Sequence, residues 1–111
     1  MAVTLTVIGL HQIGASIGMA LEIHKEKITR TGHDPAPHLA QNLLKKKAFD
    51  RIAANLRDAV RDAQIVVLAV PADQVETTLK QIAPDLKPGA IVIDTSPNRR
   101  QAAQWAQQYL R

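Results

Sequence analysis

Three short apolar runs set the frame of the chain. Residues 3–9, 64–70 and 90–94 are rich in Val, Ile and Leu, and they end at Gly9, before Pro71 and at Asp94. Runs of that length and composition predict buried strands of a parallel sheet. Residues 28–33 read as a shorter, more polar strand nearer an edge, and Phe49 to Ala54 as a short edge strand. Between these runs, apolar residues recur at helical spacing. Ile13, Ile17, Ala20 and Leu21 mark a helix over 13–26 with a polar end at His24-Lys25-Glu26-Lys27. Leu39, Leu43 and Leu44 mark one over 38–47, and residues 56–63 form a short one. Val75, Leu79 and Ile82 face inward on a helix that Asp73 caps and that runs to about Leu86. Ala102, Trp105 and Tyr109 mark a last helix over 98–110. Pro35 and Pro37 break the chain, with Pro37 placed to open a helix, and Lys87-Pro88-Gly89 is a turn.

Strand and helix alternate five times, which predicts an α/β domain: an open five-stranded parallel sheet with helices on both faces. The first strand, turn and helix read Gly9-Leu10-His11-Gln12-Ile13-Gly14, and the second strand ends at Asp34, 20 residues after Gly14. That is the order of a dinucleotide-binding βαβ unit, a Rossmann-like three-layer α/β/α fold, and right-handed crossovers then give the strand order 3-2-1-4-5. The helix N-terminus offers unpaired N–H groups and about half a positive charge to a pyrophosphate. Gly9 suits the sharp turn, Gly14 lets the helix lie close on the strand, and Gly18 extends that contact. A carboxylate at Asp34 can accept hydrogen bonds from an adenosine ribose, and it repels a 2′-phosphate, so it favours NAD over NADP. In such sheets the ligand lies beyond the carboxyl ends of the strands, here at loops 9–14, 34–37, 70–74 and 94–98.

Composition narrows the function. The 111 residues make one domain, 46 % apolar with few aromatics, so its core is Val, Ile, Leu and Ala. There is no cysteine, hence no disulfide and no thiolate chemistry. No apolar run reaches membrane-spanning length and the start lacks a signal-peptide layout, so the expectation is a cytoplasmic protein. The net charge of +4 comes from scattered basic residues, apart from Lys45-Lys46-Lys47, with no interleaved aromatics. That pattern reads as a solvated helix end, not a nucleic-acid surface. His24, His33 and His38 show no metal-ligand spacing, and Asp73 and Asp94 read as caps and loop hydrogen bonds, not as a catalytic pair.

The motifs resemble a known family. Gly9-Leu10-x-x-Ile13-Gly14-Ala15-Ser16-Ile17-Gly18 resembles the opening of prephenate dehydrogenases, and Gly32-x-Asp34 their second-strand ending. Leu56-x-Asp58-Ala59-Val60-x-Asp62-Ala63, then Val67-Leu68-Ala69-Val70-Pro71, resembles their fourth strand and its approach, and Ile93-Asp94-Thr95-Ser96 their fifth. The wider group of 6-phosphogluconate and hydroxyisobutyrate dehydrogenases is similar over this domain. The resemblance implies an NAD(P)-binding oxidoreductase domain whose enzyme passes a hydride from a small carboxylic acid to NAD. It implies cofactor contacts at Gly9, His11, Gln12, Ile13, Gly14, Asp34, Val70, Pro71 and Ser96.

Two positions depart from the family pattern. His11 replaces the second glycine, where it either donates a hydrogen bond to the phosphate or fills a site no longer used for NAD. After strand 5, Pro97 stands where the family tends to place serine and Arg99 where it places lysine; Ser96 then either contacts cofactor or caps the last helix. The family's second, helical domain, with its dimer contacts and a catalytic histidine, has no counterpart in these 111 residues. The catalytic residues are therefore unassigned, and the surface that domain would cover is a place for homodimer contact. The alternative is a free-standing, non-catalytic nucleotide-binding or cofactor-less interaction module.

Overall fold

The computed structural model describes residues 3–10, 12–24 and 26–95. Strand β1 (Val3–Ile8) is followed by helix α1 (Gln12–Ala20), β2 (Ile28–His33), α2 (Pro37–Lys45), β3 (Arg51–Ile52), α3 (Leu56–Val60), β4 (Ile65–Leu68), α4 (Val75–Ile82) and β5 (Ile91–Asp94). All strand pairs are parallel, and the sheet order is β3-β2-β1-β4-β5. The order expected from the sequence is the order observed. His11, Ser96 and the helix expected over 98–110, with Trp105 and Tyr109, lie outside the described residues.

The strand period of two divides the core. Leu5, Val7 and Val67 pack on one face with Leu10, Ala40, Leu43, Ala48 and Phe49, under α1 and α2. Ile8, Val66 and Leu68 pack on the other with Ala59, Val60, Val75, Leu79 and Ile82, under α3 and α4. Thr6, fully buried on the second face, is accommodated because its hydroxyl donates to the Ala59 carbonyl. Among the described residues no buried side-chain nitrogen or oxygen lacks a hydrogen-bond partner.

Several expectations need correction. Helix α1 stops at Ala20, short of the expected end at residue 26, and a short 3-10 turn, Glu22–His24, follows it. The chain must double back there, since Lys27 already bonds Val3 at the mouth of β2. Gly18 packs closely, but on the Ala48–Phe49 segment, where an added Cβ would lie 2.7 Å from the Ala48 carbonyl oxygen, and not on β1. Asp73 does not cap α4: a 3-10 turn, Ala72–Gln74, precedes it, and Gln74 takes the cap position without a side-chain cap bond. The 64–70 run leaves the sheet at Leu68, before Pro71 is reached. β5 is not a buried strand. It is the sheet edge, and its alternate residues Ile91 and Ile93 are 57 % and 47 % exposed. Val92, on the opposite face, packs on the α3–α4 core.

Candidate functional site

The carboxyl ends of β2, β1, β4 and β5 form one laced edge. Gly9 N–H donates to the His33 carbonyl at 2.9 Å, Ala69 N–H to Ile8 at 2.8 Å, and Thr95 N–H to Leu68 at 3.1 Å. The Thr95 hydroxyl adds a second bond to the Leu68 carbonyl, 3.0 Å. The loops that follow β1, β2 and β4 therefore sit on a rigid base.

Two glycines make the turn above β1 possible. Gly9 has φ +95°, a region that side chains with a Cβ rarely adopt, and a Cβ there would lie 2.7 Å from the Ala69 oxygen and 3.0 Å from Val70 N. Gly14, in the first turns of α1, has no room at all, since a Cβ would overlap the Gly9 carbonyl and meet Val7. The start of α1 is thus pressed onto the end of β1, and its orphan N–H groups open at the carboxyl edge of the sheet. Gln12 and Ile13 are the first two residues of that helix.

Asp34 ties the second loop to the first. Its Oδ2 accepts the Leu10 N–H at 2.8 Å, and its Oδ1 accepts the Ala36 N–H at 2.9 Å. Leu10 is fully buried, so the turn is anchored by its side chain below and by Asp34 beside it. Each carboxylate oxygen keeps acceptor capacity beyond its one backbone bond. A cleft of about 380 Å³ opens beside Asp34, between Ala40, Gln41 and Leu44 of α2 and the stretch Ile52 to Ala54.

Of the remaining candidates, Val70 is half-buried against the α3–α4 core, and its backbone lies against Gly9. Pro71 is exposed in the loop before α4. The structure thus brings Gly9, Gly14, Asp34 and Val70 to one edge of the sheet. His33, one residue before Asp34 and without metal-ligand spacing in the sequence, has a structural part here. Its Nδ1 lies 3.0 Å from the Ala53 carbonyl, which can only accept, so Nδ1 carries the proton and the ring fixes the β3–α3 loop. Its position at a strand end beside the acidic residue was the signal available. Among the described residues no three His, Asp or Glu side chains converge as a metal site, and no helix is long and apolar enough to cross a membrane.

A parallel sheet in this order, a glycine turn feeding a helix N-terminus, and a carboxylate ending β2 define a nucleotide-binding α/β domain of the dehydrogenase type. The family model for the nucleotide-binding domain of prephenate dehydrogenase matches residues 17–111, and the chain belongs to that family. The match begins inside α1, so the glycine turn precedes it. The chain is similar to a cyclohexadienyl dehydrogenase of Zymomonas mobilis, 29 % identical over 91 residues, covering 82 % of this chain and 31 % of the relative. It is also similar to a prephenate dehydrogenase of Lactococcus lactis, 29 % identical over 103 residues, covering 92 % of this chain and 28 % of the relative. The fold matches the crystal structure of prephenate dehydrogenase from A. aeolicus in complex with hydroxyphenyl propionate and NAD+. There the TM-score is 0.81 and the identity 15 %, over 99 % of this chain and 40 % of that one. The chain spans about a third of the length of the curated relatives it matches.

Proposed function

We propose that this chain binds NAD and serves as the cofactor module of an oxidoreductase that removes a hydride from a small cyclohexadienyl carboxylic acid of the prephenate type. One observation carries the cofactor reading: the Asp34 carboxylate is held 2.8 Å from the Leu10 N–H, beside a turn that Gly9 and Gly14 let close tightly against Ala69 and the end of β1. A tight turn at a helix N-terminus beside a carboxylate suits a dinucleotide. Gly9, Gly14 and the backbone of Gln12 and Ile13 would hold the pyrophosphate against the helix N-terminus. Asp34 would accept from the adenosine ribose hydroxyls, with the cleft beside it giving that half of the ligand an apolar wall. Val70, Pro71 and Ser96 would flank the nicotinamide end. NAD, when bound, supplies the hydride acceptor.

The names of the relatives support the reaction class. The groups that orient the substrate and take its proton belong, on this reading, to sequence beyond the third of the relatives that this chain matches. Ile91 and Ile93 present an apolar strip on the β5 edge that suits a covering surface, either that further sequence or a second copy of the chain. A second reading rests on His11. A side chain at the second glycine position favours a module in which the phosphate place is filled and the interface is the function.

The cofactor preference is tested by thermal unfolding of the full chain with each dinucleotide. NAD at about 100 times its Kd should raise stability by about 2.7 kcal/mol. NADP at equal concentration should raise it less, because its 2′-phosphate meets Asp34. Equal shifts with the two, or a larger one with NADP, would overturn the NAD assignment.

A further inference from the structure

Arg30 is the largest fully buried side chain of the described residues, 1 % exposed in the middle of β2. A guanidinium keeps its charge in any protein and is retained in a core only with partners for its donors. Its Nη2 lies 3.2 Å from Asp50 Oδ1 and its Nε 3.3 Å from Asp50 Oδ2, a two-point fork. Nη1 points the other way and donates to the Gly18 carbonyl at 2.9 Å. Gly18 is two residues from the end of α1, so this oxygen is one of the helix's last carbonyls, with partial negative charge.

We infer that Arg30 is the positioning residue of the cofactor helix: a buried cation, oriented by Asp50, that holds α1 by its carboxyl end and so fixes where its amino end meets the dinucleotide phosphates. Three features make the tether stiff. The fork sets the guanidinium plane. The absence of a Cβ on Gly18 lets α1 sit on Ala48 and Phe49, next to the same loop that carries Asp50. Two backbone N–H groups add to the link: Asp50 N–H donates to the Arg30 carbonyl at 2.9 Å, and Arg30 N–H donates to the Asp50 carboxylate Oδ2 at 2.8 Å. From Gly18 to Gln12 is roughly 9 Å of helix at 1.5 Å per residue, so a small tilt at the tether moves the phosphate-facing turn directly. The cation also offsets the helix dipole at the end opposite to the one that receives the anion.

The inference rests on the dinucleotide reading, and its test has two arms so that the two can fail separately. Hydrogen exchange and NAD titration are run on the full chain as wild type, Arg30→Lys and Arg30→Met. Lysine keeps a cation beside Asp50 but cannot span both partners, so it separates the ion pair from the tether. Both variants should exchange α1 amides about tenfold faster than wild type, while amides of β4 change less, and both should bind NAD about tenfold more weakly. A uniform rise in exchange across α1 and β4, loss of folding in Arg30→Lys, or faster α1 exchange with unchanged NAD affinity would overturn the positioning role and leave Arg30 a structural residue only. Wild type silent toward NAD would overturn the dinucleotide reading, while the exchange arm still decides whether Arg30 holds the helix.

Discussion

At the scale of single residues, two side chains carry opposite lessons. Asp34 holds two backbone N–H groups, one from each of two loops, so its carboxylate is fixed where a ribose would meet it. In Asp34→Asn the amide nitrogen must face one of those N–H groups, leaving a donor without an acceptor. The variant should lose about 1–3 kcal/mol in urea unfolding and narrow the gap between NAD and NADP. A variant as stable as wild type with an unchanged gap would show that Asp34 does neither job. Lys47 is strained where nothing demands a lysine. It has φ +61° at the end of α2, where Lys47 N–H bonds Leu44 and Ala48 N–H bonds Leu43, the wrap that glycine favours at a helix end. Lys47→Gly should therefore raise stability by ~1 kcal/mol, read as a shifted urea midpoint with unchanged slope, and a lowered midpoint would contradict it.

Elements show why some of the chain was legible and some was not. The β1–turn–α1 unit could be read because its glycines answer to hard sterics: a Cβ at Gly9 or Gly14 collides with backbone, whatever the rest of the sequence does. Strand order followed from crossover handedness and needed no side-chain detail. Arg30 was hidden, because a charge in a polar strand reads as solvent-facing, and its partner Asp50 lies 20 residues away. Helix starts were misread for a related reason. Asp73 has the chemistry of a cap, but the 3-10 turn Ala72–Gln74 shifts the start of α4 past it. Asn55, unremarked in the sequence, caps α3 by accepting the Asp58 N–H at 2.8 Å. Asn55→Ala should thus cost about 1 kcal/mol and Asp73→Ala stay within about 0.5 kcal/mol of wild type, and the reverse ranking in thermal unfolding would refute both assignments.

At the scale of the whole molecule, the described residues form a sheet whose carboxyl edge gathers the glycine turn and Asp34 and whose β5 edge exposes Ile91 and Ile93. Alternation in the hydrophobic pattern was enough to predict the layers, because each face of β1 and β4 needs its own helices to cover it. It was not enough to predict burial at the rim. Ile91 and Ile93 look like core residues in sequence and are exposed at the edge of the sheet. Membership of the prephenate dehydrogenase nucleotide-binding family gives the ligand edge its meaning, yet the matched region starts after the glycine turn, and that turn holds His11. On the proposed reading, this edge binds NAD. Calorimetric titration of the purified chain with NAD, beside His11→Gly, addresses it directly. Both chains should show saturable binding, tighter for NAD than for NADP. Silence from the wild-type chain would contradict it, and binding by His11→Gly alone would trace the loss to that one side chain.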